Sequence, residues 1–222
     1  MILQAIDIHK SYQNLNVLKG ITLDITQGEI TAIIGASGAG KSTLLHILGT
    51  LDKADKGKIL FNGVDLQKKN ANELALFRNR HIGFIFQFHN LMPEFTALEN
   101  ICLPAFLQNG NLQTNHAQIT QKAMELLTLL NMSHRQTHKP SELSGGEQQR
   151  IAVARALINQ PDIIFADEPS GNLDAKHANE LHELFFKLRQ EFNQTFVIVT
   201  HNTQLAAMAD RRIELAKGEV VV

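Results

Sequence analysis

Gly35-Ala36-Ser37-Gly38-Ala39-Gly40-Lys41-Ser42 has the form Gly, four residues, Gly, Lys, Ser. The run before it, Ile30 to Ile34, reads as a short buried strand. The stretch after it, Lys41 to Leu48, carries Leu44, Leu45, Ile47 and Leu48 and fits a buried helix. A strand feeding a glycine-rich loop that opens a helix is the context in which this spacing binds phosphate. Glycines let the backbone wrap close to phosphate oxygens, so that several amide N–H groups and the positive end of the helix converge on one anion. Lys41 would reach the β- and γ-phosphates, Ser42 would hold Mg²⁺ through its hydroxyl, and Thr43 follows in the same turn. A glycine-rich turn that only caps a helix is the alternative, and the flanking strand and helix disfavour it.

A metal-bound nucleotide also needs carboxylates. Ile163-Ile164-Phe165-Ala166-Asp167-Glu168 places two of them at the end of an apolar run, where the chemistry of α/β sheets collects. Adjacent residues at a strand end face different ways. One of the pair can bind Mg²⁺ through water while the other polarises an attacking water. Taken alone, the pair could equally open a solvated loop.

Other short β-type runs are Ile2 to His9, Ile21 to Ile25 and Ile82 to Phe86, and Ile59 to Phe61 with Asn62, Gly63 and Val64 reads as a hairpin. From Phe88 to about Arg155 helix formers dominate, with Leu126, Leu127, Leu129 and Leu130 ending one helix and Gly145 to Glu147 preceding another. Strand patterns return at Ile163 to Ala166 and Thr195 to Val199, separated by a helical stretch, Ala175 to Glu191. That alternation predicts a parallel sheet with crossover helices. The expected organisation is one α/β domain over 1–222, with 1–87 and 156–222 forming the core and a β-rich start, and 88–155 an inserted helical lobe.

Composition narrows the partners. With 44% hydrophobic and 19% charged residues the 222-residue chain is not disordered, and 21 Lys+Arg against 22 Asp+Glu, with no block of like charge, gives no reason to expect nucleic acid. Cys102 is the only cysteine, so no internal disulfide can form. No apolar run approaches the ~20 residues of a membrane span, and Asp7 interrupts the stretch that could have been a signal-peptide core. Neither membrane insertion nor export is expected. Among ten histidines, His201 stands out by following the Thr195 to Thr200 strand. His134 and His138 are four apart but lack a third ligand, and His177 and His182 are expected to be solvated on a surface helix.

Leu143-Ser144-Gly145-Gly146-Glu147-Gln148-Gln149-Arg150 resembles the signature sequence of the ATP-binding cassette ATPases. Physically, Ser144 offers a hydroxyl, Gly145 and Gly146 allow close backbone approach, and the following helix aims its dipole at an anion. An ordinary capped helix fits these residues as well, so the resemblance rests on the ordered set: Tyr12, Gly35 to Ser42, Gln87, Leu143 to Gln148, Asp167 and Glu168, Asp174, His201. It implies a P-loop NTPase cassette with a RecA-like core, an N-terminal antiparallel β-subdomain and an inserted α-helical subdomain. It also implies Mg²⁺ and ATP sandwiched in a homodimer, the phosphate loop of one subunit facing Ser144, Gly145 and Gly146 of the other. In that scheme Glu168 is similar to the base or water-orienting carboxylate, and His201 to the group that contacts the γ-phosphate and holds the base in line. Gln87 touches Mg²⁺ and the attacking water, and Asp174 lies on the loop that spans the dimer interface. Tyr12 sits where an aromatic stacks on adenine, although a tyrosine ending a strand is also an ordinary packing residue.

The run from Phe84 to Asn100 and the segment Gly171-Asn172-Leu173-Asp174 resemble the lipoprotein-releasing group of cassette ATPases, which is related to macrolide-exporter and cell-division ATPases. The implied function is to power extraction of lipoproteins from the inner membrane through separate permease subunits, from a peripheral position on its cytoplasmic face. Permeases would dock near Phe88 to Leu107 by inserting a short helix in an apolar groove. Phe88, Leu91, Met92, Phe95 and Leu98 could instead be lobe core, and some of each is expected. Asn202 and Ser170 depart from the commoner Asp and Thr, and the end at Val222 implies no regulatory C-terminal domain. The alternative within the same group is the ATPase of a macrolide exporter or of a cell-division complex, and two readings from other classes weigh less. Non-transport cassettes of translation or DNA repair resemble tandem or coiled-coil-bearing chains, and a scaffold without turnover would not need Glu168 and His201.

Overall fold

The computed structural model describes residues 1–108 and 116–221. The chain opens with two long strands, β1 (Leu3–Tyr12) and β2 (Leu15–Ile25), each longer than its apolar run. The strand β3 (Ile30–Ile34) leads through the glycine-rich loop into α1 (Lys41–Leu48). Next come β4 (Lys56–Phe61) and β5 (Val64–Asp65), joined at Asn62 and Gly63, which both take positive φ (46° and 79°) as a tight hairpin turn demands. The helix α2 (Ala71–His81) precedes β6 (Ile82–Phe86). The helical part follows as α3 (Ala97–Gln108), α4 (His116–Leu129) and α5 (Gly145–Leu157). The chain then runs β7 (Ile163–Asp167), α6 (Ala175–Phe192), β8 (Thr195–Val199), α7 (Thr203–Met208), β9 (Arg211–Ala216) and β10 (Glu219–Val221).

Two sheets result. β2-β1-β4-β5 is antiparallel, and β10-β9-β3-β8-β7-β6 is parallel except for its edge strand β10. The central strands are buried on both faces, as strands covered by helices must be. On β8, Phe196 and Ile198 point to one side and Val197 and Val199 to the other. The first side packs with α6 residues Leu181 and Phe185, α5 residue Ile151 and lobe residues Ile101 and Leu127. The second packs with Leu44, Leu45 and Leu48 of α1 and with Ile8, Ile25 and Phe61 of the antiparallel sheet. Each fully buried side chain of this size contributes about 1.5–3 kcal/mol. Because α5 joins lobe and sheet, the helical insertion shares a core with the parallel sheet instead of forming its own. Cys102 lies in that core, and burial pushes its thiol up to about 11, which makes it inert.

Register decides what the sheet does. Ile33 pairs with Val199, Val199 with Asp167, and Asp167 with Phe86. The residues immediately beyond these strand ends are the phosphate loop, His201, Glu168 and Gln87, so one edge of the parallel sheet gathers them, as open α/β sheets do with ligand sites. Among the elements without a clear apolar run, α2 buries only Leu74 and is nucleated by a capping box, in which the Glu73 amide donates to Asn70 and the Asn70 amide to Glu73.

Candidate nucleotide site

The loop after β3 is built for backbone approach. Gly35 has φ 146°, and a Cβ there would sit 2.1 Å from the Leu215 carbonyl oxygen. Gly38, at φ 75°, faces open space, with nothing within 4 Å of where its Cβ would be. The Lys41 ammonium arches back and donates to the carbonyls of Gly35 and Ala36, each at 3.0 Å. A cleft of about 410 Å³ opens over this loop, lined by Ser37, Gly38, Gly40, Lys41, Ser42 and Thr43, with Tyr12 on one side and Glu168 on the other. Its size suits a small-molecule ligand.

The two carboxylates separate as strand-end neighbours should. The Ser42 hydroxyl donates to Asp167 Oδ1 at 3.0 Å. Burial raises the Asp167 carboxyl above its ordinary value, against the pull of the Ser42 hydrogen bond and of His46, whose Nε2 is 3.7 Å away. Glu168 turns elsewhere, at a left-handed φ of 46°. His201 Nδ1 lies 2.9 Å from Glu168 Oε2, and the His201 amide donates to the same oxygen at 3.2 Å. A hydroxyl and a desolvated carboxylate side by side next to a phosphate loop fit Mg²⁺, which takes few protein oxygens and completes its shell with phosphate and water. Among the described residues no cluster of three or more His, Cys, Asp or Glu could hold a metal by itself.

Tyr12 is 47% exposed yet held in place. Its hydroxyl donates to Asp52 at 2.5 Å, and the Lys10 ammonium sits 5.0 Å from its ring centroid while donating to the same carboxylate at 2.9 Å. The bond to Asp52 raises the Tyr12 pKa. Asp52 itself is lowered: burial opposes this, and the donors Tyr12 and Lys10 outweigh it. The ring is therefore fixed at the rim of the cleft with surface free for a planar ligand.

Ser144 is the N-cap of α5, its amide donating to Glu147 and the Glu147 amide to the Ser144 hydroxyl. The imidazole of His177 packs on Gly146, where a Cβ would meet it at 2.9 Å, and His177 Nδ1 lies 2.7 Å from Asp174, the N-cap of α6. Ser144, Gly145, Gly146 and Asp174 thus form a second group, and none of them lines the cleft over the phosphate loop among the described residues.

A family model described as ABC transporter matches residues 18–171, more than half of the chain. This chain belongs to the ABC transporter family. It is 56% identical to the "Lipoprotein-releasing system ATP-binding protein LolD" of Cytophaga hutchinsonii, over 99% of both chains. The protein of the same name from Bacteroides fragilis is 56% identical over 96% of this chain and 97% of that one. Two structures of the ABC cassette MJ0796, a dimer and a dimeric post-hydrolysis state bound to ADP and Pi, superpose with TM-score 0.91 at 38% identity, covering 100% of this chain and 97% of each of those. The antiparallel sheet, parallel core and helical insertion are accordingly those of an ABC ATPase cassette.

As an ABC cassette, the chain shows several contacts that its sequence did not announce. Gln87 donates to Asn172 Oδ1 and accepts, at its own carbonyl, from the Asn172 side chain, both at 3.1 Å, which ties the strand end of β6 to the loop after Glu168. Arg155 of α5 donates to the carbonyls of His89 and Asn90, two residues with left-handed φ just beyond Gln87. Asn172 stood in a segment quoted for its resemblance, but neither partner could be paired without the fold. The expectation of a solvated His182 is corrected: it is 1% exposed, because its face of α6 packs beneath the loop after β7, with Nε2 3.1 Å from the Ser170 hydroxyl.

The segment from Phe88 to Leu107 divides. Phe88 is 74% exposed and Met92 and Phe95 are also exposed, while Leu91 and Leu98 pack on the core. Beside it lies a cavity of about 400 Å³ between α2, β6, α3 and α5, bordered by Leu51, Arg78, Phe84, Phe86, Pro104 and Asn159.

Proposed function

We propose that this chain is the ATP-hydrolysing subunit of a lipoprotein-releasing transporter, working as a homodimer under separate membrane permeases. The observation that carries the hydrolytic part is the convergence, at one sheet edge, of the Lys41 loop, the Ser42–Asp167 pair and the Glu168–His201 pair. The cargo rests on the relatives, which are named as lipoprotein-releasing ATP-binding proteins and match 96–99% of this chain.

The chemistry is phosphoryl transfer to water, a reaction catalysed mainly by positioning and charge stabilisation. Loop amides from Gly35 to Gly40 and the Lys41 ammonium cradle the phosphates, with Tyr12 stacking on adenine. Ser42 and Asp167, joined by Gln87, would hold Mg²⁺, which would supply charge neutralisation to the phosphates. Glu168 orients the attacking water, and His201 holds that carboxylate in line. Ser144, Gly145, Gly146 and Asp174 act on the nucleotide of the partner copy, in keeping with their placement outside this chain's own cleft. The division into 1–87 with 156–222 and a helical 88–155 follows the same scheme.

Among the described residues no helix is long and apolar enough to cross a membrane, so membrane work falls to other subunits. The exposed Phe88, Met92 and Phe95 beside the cavity at Phe84 and Pro104 suit a short amphipathic helix of a permease, which would hold the chain at the cytoplasmic face of the inner membrane. The test is reconstitution with the co-purifying permeases in lipoprotein-loaded proteoliposomes. ATP-dependent lipoprotein release that Glu168→Gln abolishes supports the assignment. Turnover without release assigns the ATPase to another cargo.

A further inference from the structure

The segment after β7 is tied down one residue at a time. Glu168 adopts φ 46°, a conformation that a non-glycine residue keeps only when its surroundings over-determine it. Its amide donates to the Val199 carbonyl at 2.9 Å, and its carbonyl accepts from the Gly171 amide at 3.0 Å. Pro169 has no N–H to anchor. Its carbonyl instead accepts a 2.7 Å hydrogen bond from Nε2 of Gln149, a residue with 0% exposure. On the other side, the Ser170 hydroxyl meets the buried His182 at 3.1 Å.

Gln149 lies on α5, about one and a half turns beyond the N-cap Ser144. Only an amide nitrogen can face a carbonyl oxygen, so the orientation of the carboxamide is fixed by its partner. Its own oxygen has no hydrogen-bond partner among the described residues. A buried, half-satisfied carboxamide is a poor choice for packing alone, since an apolar side chain of similar volume would avoid the desolvation cost. What the carboxamide does supply is one rigid link between the helix that begins at the signature residues and the peptide next to Glu168.

We propose that Gln149 is a positioning residue for ATP hydrolysis, fixing the Glu168–Pro169 turn, and with it the direction of the Glu168 carboxylate, to the signature helix. This rests on the reading of Glu168 as the carboxylate that orients water. Gln149 touches neither nucleotide nor water and acts through the backbone of Pro169.

The experiment compares full-length Gln149→Leu and Gln149→Met with the unaltered chain. It measures the steady-state ATPase rate, the Kd for ATP and the thermal unfolding midpoint. The Met variant keeps volume and flexibility if the Leu variant fails to fold. The expected result is a kcat lower by about tenfold, the size of one unpaired buried carbonyl, with the Kd for ATP within about twofold. In a Glu168→Gln background, Gln149→Met should lower the residual rate no further, because the carboxylate it positions is gone. Folded variants with an unchanged kcat overturn the proposal, as does an additive loss in the double variant. If Glu168→Gln alone leaves turnover intact, the reading of Glu168 fails first. If Glu168→Gln is inactive and the Gln149 variants are normal, only the positioning role fails.

Discussion

The imidazole Nδ1 of His201 and the backbone amide of His201 both meet a single oxygen, Oε2 of Glu168, at 2.9 and 3.2 Å. Two contacts from one residue hold that oxygen in place, as the proposed role of the histidine in orienting Glu168 requires. Glu168→Gln should lower kcat by about 10²–10⁴. His201→Ala should lower it less, by about 10–10², since the amide contact survives. ATP affinity should hold in both. Steady-state rates with nucleotide titrations check this, and comparable losses of Kd and kcat in either variant speak against it.

Asp167 separates stability from function. Burial raises its pKa in the free chain, so between the unfolded and folded values the native state holds the extra proton. The sign follows: the free chain loses stability as pH rises through that window, because the charge then forms in a buried place that the Ser42 hydroxyl, His46 and Lys41 offset only in part. Asp167→Asn should therefore raise the melting temperature without ligand, by about 2–4 °C per kcal/mol recovered. It should also abolish the added stabilisation by Mg²⁺ and ATP. Thermal unfolding with and without the ligands reads both, and an Asn variant that gains as much from them as the unaltered chain contradicts the assignment.

Tyr12 is held by Asp52 and Lys10 with its ring at the rim of the cleft. If adenine stacks there, Tyr12→Ala should weaken ATP by about five- to a hundredfold, the range of a base–aromatic contact. Asp52→Ala should act in the same direction but less. Inorganic tripolyphosphate, which has no base, should bind all three chains alike, and equal loss for it would mean that the tyrosine only packs.

Exposure predicts which apolar residues serve partners. Phe88→Asp and Phe95→Asp should weaken permease association in pulldown and leave the folded chain and its ATP affinity intact, within about ±0.5 kcal/mol of stability. Leu91→Asp should unfold or destabilise the chain by several-fold more, because Leu91 packs on the core. Wild-type permease binding by the Phe88 and Phe95 variants would move the docking surface elsewhere.

Most of the candidate site was legible because its residues are neighbours in sequence or follow strong apolar runs. The loop from Gly35 to Ser42, the carboxylates after Ile163 to Ala166 and His201 after β8 all announce themselves in this way. The weakly patterned elements were not legible. β9 buries only Ile213 and Leu215, and α2 only Leu74, so neither shows a long apolar period. His182 was misplaced because an isolated polar residue on a helix is usually solvated, and only the tertiary position of α6 beneath Ser170 overrides that. The pairs Gln87–Asn172 and Tyr12–Asp52 join residues 85 and 40 positions apart, and no local spacing encodes such contacts.

In the proposed homodimer, ATP is held between the phosphate loop of one copy and the signature residues of another. The most direct measurement is the light-scattering mass of Glu168→Gln and of Glu168→Gln with Ser144→Arg, each with and without ATP. ATP should double the mass of the first and not of the second, while the second still binds ATP as a monomer. ATP-driven doubling that survives Ser144→Arg, or a Glu168→Gln chain that stays monomeric at saturating ATP, contradicts that arrangement.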